Sequence, residues 1–320
     1  MLDMSLLFLS SLIGKAATFK FNPSGRSGVL YFHRVLDKPS DNYPDDPTID
    51  EFDELLSVLK NTFTIVSLKE LASTRQVSRG KPLLGISFDD GYRDNFTNAL
   101  PVLIKHGLKA TFFIASQGTE EGILWQDKII ECVRANAGGS DALYGVGGAL
   151  DGLSESAKCR YLMEYLKRMK VFSRNAIIKD WEKTLGISSY PRLMLTREEI
   201  KVLSNEGHDI GGHTHNHVIL SVESQQDVKN EITRNKDILE EIIGRKLDLF
   251  CYPNGHPSFD LDADIHPEML REAGYSYAFT TLDGGIGKDS DDMLLSRFLP
   301  HRRNSHLRAW SSAKIMGEVA

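Results

Sequence analysis

Cysteine is scarce in this chain: Cys132, Cys159 and Cys251 are the whole complement, widely spaced and without a C-x-x-C pair. That usage suits a reducing compartment and excludes a zinc site built of thiolates. A basic block interleaved with aromatics is missing too. Arg302-Arg303 is too short to count as one, and the net charge of −6 argues against a nucleic-acid partner. No apolar run reaches the length of a membrane span. The short run Leu6-Leu7-Phe8-Leu9 follows Asp3, where a secretory signal would carry positive charge. The expectation is a cytoplasmic chain without a transmembrane helix, peripheral at the inner membrane through weak contact of an amphipathic N-terminus with its surface. No internal repeat is visible, which leaves a single globular unit or two.

With 320 residues, 41% of them hydrophobic and 26% charged, the chain has ordinary globular composition. Its apolar pattern alternates strand and helix. Strands are expected at Val29–Phe32, Phe63–Val66, Leu84–Phe88, Ala110–Ala115, His208–Ile210, Leu247–Tyr252, Tyr275–Thr280 and Leu294–Leu299. Between most of them lie helical stretches. Thr48 with Glu51, Ser67 with Glu70, and Thr196 with Glu199 read as capping boxes, while Gly107, Gly207, Gly244 and Gly274 read as stops. Single helices between strands imply parallel pairing with right-handed crossovers. The rhythm breaks between about 117 and 195, which reads as an inserted helical subdomain. The expected architecture is α/β, a distorted (β/α) barrel of seven or eight strands over 28–320 with that insertion, preceded by an N-terminal segment, 1–27.

Two stretches carry chemistry. The apolar strand from Leu84 ends in Asp89-Asp90-Gly91, delivering two adjacent carboxylates to the carboxyl edge of a parallel sheet. Like charges that close raise one another's pKa, so such a pair calls for a cation or a division of labour. About 120 residues on, Gly211-Gly212-His213-Thr214-His215-Asn216-His217 follows another strand. If its backbone forms one helical turn, His213 and His217 share a face and His215 points away. Two imidazoles and one carboxylate leave positions open for water and substrate, which suits a catalytic rather than a structural metal. In the turn Tyr252-Pro253-Asn254-Gly255 the backbone amides are candidate donors to an oxyanion. Trp125 and Asp127, opening the insertion, are read as helix anchors first and as a wall for a sugar ring second.

The sequences Ser87-Phe88-Asp89-Asp90-Gly91, His213-Thr214-His215-Asn216-His217 and Tyr252-Pro253-Asn254-Gly255, in that order, resemble the first three motifs of the polysaccharide deacetylases, carbohydrate esterase family 4. Val29–Val35 is similar to the opening strand of many bacterial members. The resemblance implies a divalent metal on Asp90, His213 and His217, zinc by default with nickel, cobalt or iron as the other choices. It implies Asp89 as general base and N-acetyl removal from an amino-sugar glycan, polymeric, lipid-linked or nucleotide-linked. Two departures stand out. Many members have an arginine two residues before the proline, where this chain has Cys251; Arg297 is one replacement, and a surface arginine is the other reading. The late Leu-x-His motif, whose histidine protonates the leaving amine, is matched only by Leu299-Pro300-His301, so His33 at the first strand end competes with His301, and His33 is preferred. The alternatives are a hydrolase of another amide or a formyl group, and a catalytically weak relative that binds glycans.

Overall fold

A computed structural model describes residues 27–74, 81–136, 143 and 150–300. The strands are β1 (Gly28–Phe32), β2 (Thr64–Ile65), β3 (Leu83–Phe88), β4 (Thr111–Ile114), β5 (Asp209–Gly212), β6 (Leu249–Cys251) and β7 (Tyr277–Phe279). All pair in parallel in the order β1-β3-β4-β5-β6-β7, with β2 also on β3. Every strand end therefore faces the same side, as the strand–helix alternation requires.

The eighth expected strand, Leu294–Leu299, is not a regular one. It makes two isolated parallel bridges, Leu295 to Phe279 and Phe298 to Leu30. Leu295 N donates to Ala278 O at 2.9 Å, and Phe298 N to Val29 O at 2.8 Å. The segment thus joins β7 back to β1. Pro300 lies just beyond its last bridge, lacking the N–H a longer ladder would need.

The helices are α1 (Ile49–Thr62), α2 (Leu68–Thr74), α3 (Leu100–His106), α4 (Ser116–Glu121), α5 (Trp125–Ala135), α6 (Glu155–Leu166), α7 (Val171–Leu185), α8 (Arg197–Asn205), α9 (Gln225–Ile243) and α10 (His266–Glu272). Reciprocal capping boxes open α1 at Thr48/Glu51 and α8 at Thr196/Glu199. A π-helical turn, Asn95–Ala99, leads directly into α3. Core residues of β1, β3, β4 and β6 such as Leu30, Ile86, Phe112 and Phe250 pack against α1, α3, α8 and α9 through Phe52, Leu103, Leu203 and Leu239.

Between β4 and β5 the chain makes α4 to α8. Of these, α5, α6 and α7 share a cluster of their own, with Trp125, Ile129, Leu162, Leu166, Ile178 and Trp181 buried together. Helix α7 escapes the periodicity reading because its buried positions are few and one of them is Arg174. Among the described residues no helix is long and apolar enough to cross a membrane. The N-terminal run at Leu6–Leu9 and His301 lie outside the described residues.

Candidate active site

Helix and sheet bring the three motif loops together at one face. Asp89 and Asp90 leave β3, His213 leaves β5, and Tyr252 leaves β6. Among the described residues the non-glycine positions with positive φ are Asp90 (73°), Thr214 (59°), His217 (49°) and Asn254 (57°). All four fall in these loops. Left-handed backbone costs an L-residue roughly 1–2 kcal/mol, so its confinement here marks the loops as built for placement rather than stability.

His213 and His217 do not share a helical turn. Bends at Thr214 and His217 bring the rings together instead, with centroids 4.9 Å apart. Val218 N donates to Thr214 Oγ1 at 3.1 Å and holds that bend. His213 Nε2 lies 3.3 Å and His217 Nε2 3.1 Å from the same oxygen, Asp90 Oδ1. His213 Nδ1 faces the Cys251 carbonyl at 2.7 Å, which puts its proton there and leaves Nε2 a bare lone pair. His215 turns away, its Nδ1 2.9 Å from Ser116 Oγ.

An inward-facing carboxylate oxygen and a bare imidazole nitrogen are both acceptors, and Asp90 Oδ1 is buried without a hydrogen-bond donor among the described residues. Acceptors repel unless something positive lies between them. Tetrahedral ligands at roughly 2.0–2.2 Å from a zinc ion sit about 3.3–3.6 Å from one another, close to the spacing seen. The donor set therefore fits a divalent metal. Burial raises the pKa of Asp90, but His217 and His213, when they carry protons in place of a metal, outweigh it and hold the carboxyl well below its usual range. Burial likewise opposes charge on His213, yet Cys251, Asp90 and Asp89 raise its pKa, a field that a bound cation satisfies as well as a proton does. A second group, Asp89, His213 and Cys251, is also close enough to ligate. It is already spent, because the Asp89 carboxylate is engaged by arginine and His213 Nδ1 by a carbonyl.

That arginine is Arg297. Its Nη1 and Nη2 meet Asp89 Oδ1 and Oδ2 at 2.8 Å each, a bidentate fork. Arg297 is 0% exposed; Nε donates to Thr280 O at 3.0 Å, and the guanidinium lies 4.3 Å from the centroid of the Tyr31 ring. The closing segment between β7 and β1 supplies the cation that position 251 lacks, and Cys251 Sγ packs 2.9 Å from Nη2. Burial pushes Asp89 up in pKa and Arg297 more than offsets it, so the carboxyl is ionised. One ground for reading a catalytically weak glycan binder, the missing arginine, is thereby removed; the choice of proton donor, the other ground, is untouched by it.

Other expectations change. Tyr252 N donates to Phe279 O, Pro253 has no N–H, and Gly255 N donates to Pro253 O, so of the turn's amides only Asn254 N–H has no acceptor among the described residues and can serve an oxyanion. The Tyr252 ring packs edge-on against Phe250 in the core, away from any ligand. Trp125 is 5% exposed with the Arg174 guanidinium 4.4 Å over its ring, an anchor and not an open stacking face. His33 stands half-buried at the end of β1, edge-on to Tyr31 at 5.9 Å, and its charge would lower the pKa of both Asp89 and Asp90.

Several positioning residues carry no sequence motif. Asn235 on α9 donates to Thr214 O (2.7 Å) and Ile114 O (2.9 Å) and accepts from His213 N (3.2 Å). Gly212 is glycine for this reason: a Cβ there would lie 2.8 Å from Asn235 Oδ1 and 2.3 Å from the Tyr275 hydroxyl. Arg174 Nη2 donates to Asn216 O at 3.0 Å, and Glu231 accepts from Asn216 N and Nδ2 at 2.7 and 2.6 Å, fixing the residue before His217. Gln126 on α5 donates to Asp90 Oδ2 at 3.3 Å.

The family model for polysaccharide deacetylase matches residues 76–138 and 149–278. The chain belongs to that family. It is accordingly a carbohydrate deacetylase, a hydrolase of a metal-dependent family, and Asp90, His213 and His217 form a group that could hold a metal ion. The deacetylase is 21% identical over 288 residues to "Putative polysaccharide deacetylase YxkH" of Bacillus subtilis (strain 168), covering 88% of this chain and 74% of that protein. Its fold is shared by the Streptococcus pyogenes deacetylase PplD, solved in complex with acetate, at a TM-score of 0.61 and 17% identity, over 92% and 98% of the two chains. IcaB from Ammonifex degensii gives a TM-score of 0.59 at 21% identity over 92% and 97%.

Proposed function

We propose that this deacetylase hydrolyses the N-acetyl group of an amino sugar within a glycan or glycan precursor, with zinc held by Asp90, His213 and His217. One observation carries the reading: two neighbouring aspartates are set to different tasks. Asp90 turns a bare oxygen toward two imidazole nitrogens, whereas Asp89 is held ionised by Arg297. A divalent ion in that set would act as a Lewis acid toward the acetamide carbonyl and toward the attacking water. The remaining work falls to the chain. Asp89 takes the proton of the water, its carboxylate plane fixed by the fork. Asn254 N–H is aimed by its left-handed turn to steady the tetrahedral oxyanion. His33, at the rim beside both aspartates, donates the proton that the departing amine needs, with His301 as the competing donor.

The test is acetate release from protein stripped of metal and reloaded with zinc, nickel, cobalt or iron. The panel is an N-acetylglucosamine oligosaccharide, a nucleotide-linked N-acetyl amino sugar and a lipid-linked one. Release with at least one of them, dependent on the added metal, is the expected result. Metal-loaded protein that frees no acetate from any, or that prefers N-formyl analogues by kcat/KM, would sink the reading.

A further inference from the structure

Helix α5 brings one side chain from the insertion onto a metal ligand. Gln126 sits in its first turn and donates from Nε2 to Asp90 Oδ2 at 3.3 Å. A carboxylate can only accept, so the carboxamide nitrogen must be the end that faces Asp90. The opposite end follows by chemistry. Gln126 Oε1 points off the carboxylate, is buried, and has no hydrogen-bond donor among the described residues. A buried acceptor without a donor is costly enough to be rare, and one beside a catalytic centre marks a place that a ligand's donor fills.

Both neighbours of Gln126 are clamped. Trp125 lies beneath the Arg174 guanidinium at 4.4 Å. Asp127 accepts from the Tyr43 hydroxyl at 2.5 Å and from the Tyr92 hydroxyl at 3.0 and 3.1 Å. Tyr92 is two residues after Asp90, so the turn that presents Asp90 and the turn that presents Gln126 are tied through Asp127. The first turn of α5 cannot swing away, and the carboxamide is held at its station from both sides.

We infer that Gln126 is a substrate-binding residue, whose oxygen accepts a hydrogen bond from a donor of the acetamido sugar, its N–H or an adjacent hydroxyl. This rests on the deacetylation reading above and names part of its specificity. A neutral acceptor suits the position. A third carboxylate beside Asp90 would repel it and compete for the cation, whereas an amide can anchor on Asp90 and still offer an oxygen.

The experiment compares wild type with Gln126→Met, a side chain of similar length with neither donor nor acceptor. Both are assayed as full-length, zinc-loaded protein on an N-acetylglucosamine pentamer and on 4-nitrophenyl acetate, an ester without a donor. Selectivity, the ratio of kcat/KM on the sugar to that on the ester, should fall about tenfold, roughly the worth of one hydrogen bond. A parallel fall on both substrates, or loss of zinc, would mean that Gln126 only steadies Asp90, and an unchanged ratio would mean that a buried water meets Oε1; either overturns the inference. Gln126→Ala replaces the Met variant if that one does not fold. A second measurement, calorimetric binding of the pentamer in an Asp89→Asn background, keeps the two ideas apart. Binding weakened about tenfold by the Gln126 change supports the inference even where wild type frees no acetate from any of the three sugars of the panel, an outcome that removes only the deacetylation reading. Wild type that neither binds nor acts on any of the three overturns both.

Discussion

Arg297 grips Asp89 through two parallel hydrogen bonds of 2.8 Å, across 208 residues of sequence and with the guanidinium wholly out of solvent. Removing one partner of such a buried pair leaves an uncompensated charge, typically at a cost of about 3–5 kcal/mol. Arg297→Met should therefore lower stability by that order. It should also release Asp89 to the effect of burial, which raises its pKa. The sign follows: a carboxyl depressed in the fold stays ionised down to low pH, and without Arg297 the acid limb of the rate profile should move to higher pH. Arg297→Lys supplies charge without the fork and should recover stability better than rate. A rate–pH profile that keeps its acid limb would show that the fork does not set the base.

Asp89→Asn keeps shape and removes the proton acceptor. Zinc content should stay near one per chain, because Asp89 is not in the ligand set, while kcat falls by about 10²–10⁴. Elemental analysis beside steady-state kinetics distinguishes this from a metal defect. Wild-type turnover in the variant would place the base elsewhere.

The ligand set makes a complementary prediction. Asp90→Ala, His213→Ala and His217→Ala should each bind zinc at least tenfold more weakly and lose activity with it. Changing Asn235→Ala should produce a milder form of the same loss, since it frees the His213 and Thr214 backbone without touching a ligand. If Asn235→Ala holds zinc as firmly as wild type, the positive-φ loop keeps its shape unaided.

What could be read from the sequence follows how local the cause is. Asp89, Asp90, His213 and His217 were legible because a strand end fixes where its next residues go, and parallel strands end on one face. The capping boxes of α1 and α8 were legible for the same reason, being three-residue relations. The conformation between His213 and His217 was not: left-handed φ at Thr214 and His217 is imposed by Asn235, Glu231 and Arg174, none near in sequence. Arg297 could be named only as one option, since its partner is fixed by closure of β7 onto β1, a tertiary event. Gln126 carried no signal at all, because a glutamine on a helix is ordinary until its neighbour is known to be a metal ligand.

The proton donor to the leaving amine divides His33 from His301. His33 is held at the end of β1, edge-on to Tyr31 and close enough to bias both aspartates. Rigid placement favours it. His33→Gln should lower the deacetylation rate by about 10²-fold or more with metal content unchanged, and His301→Gln should cost little. The reverse pattern would assign the role to His301. If neither substitution slows the reaction, the proton taken by Asp89 is returned by it.

Away from the site, His208 makes the fold sensitive to acid. Burial, aided by Lys109, lowers its pKa from 6.5 to about 4, and its Nδ1 accepts from Ala110 N at 3.1 Å only while unprotonated. The unfolded chain regains the ordinary value. Between pH 6.5 and 4 the unfolded state therefore binds the extra proton first, so stability falls as pH falls through that window. The shift corresponds to about 3 kcal/mol, fully lost below pH 4. His208→Gln keeps an acceptor for Ala110 but cannot be protonated. Urea unfolding at pH 7 and at pH 4.5 should show a pH penalty smaller in the variant by about 2 kcal/mol. Equal penalties in the two proteins would mean that His208 stays neutral in both states, or charges in both, and that the acid sensitivity has another source.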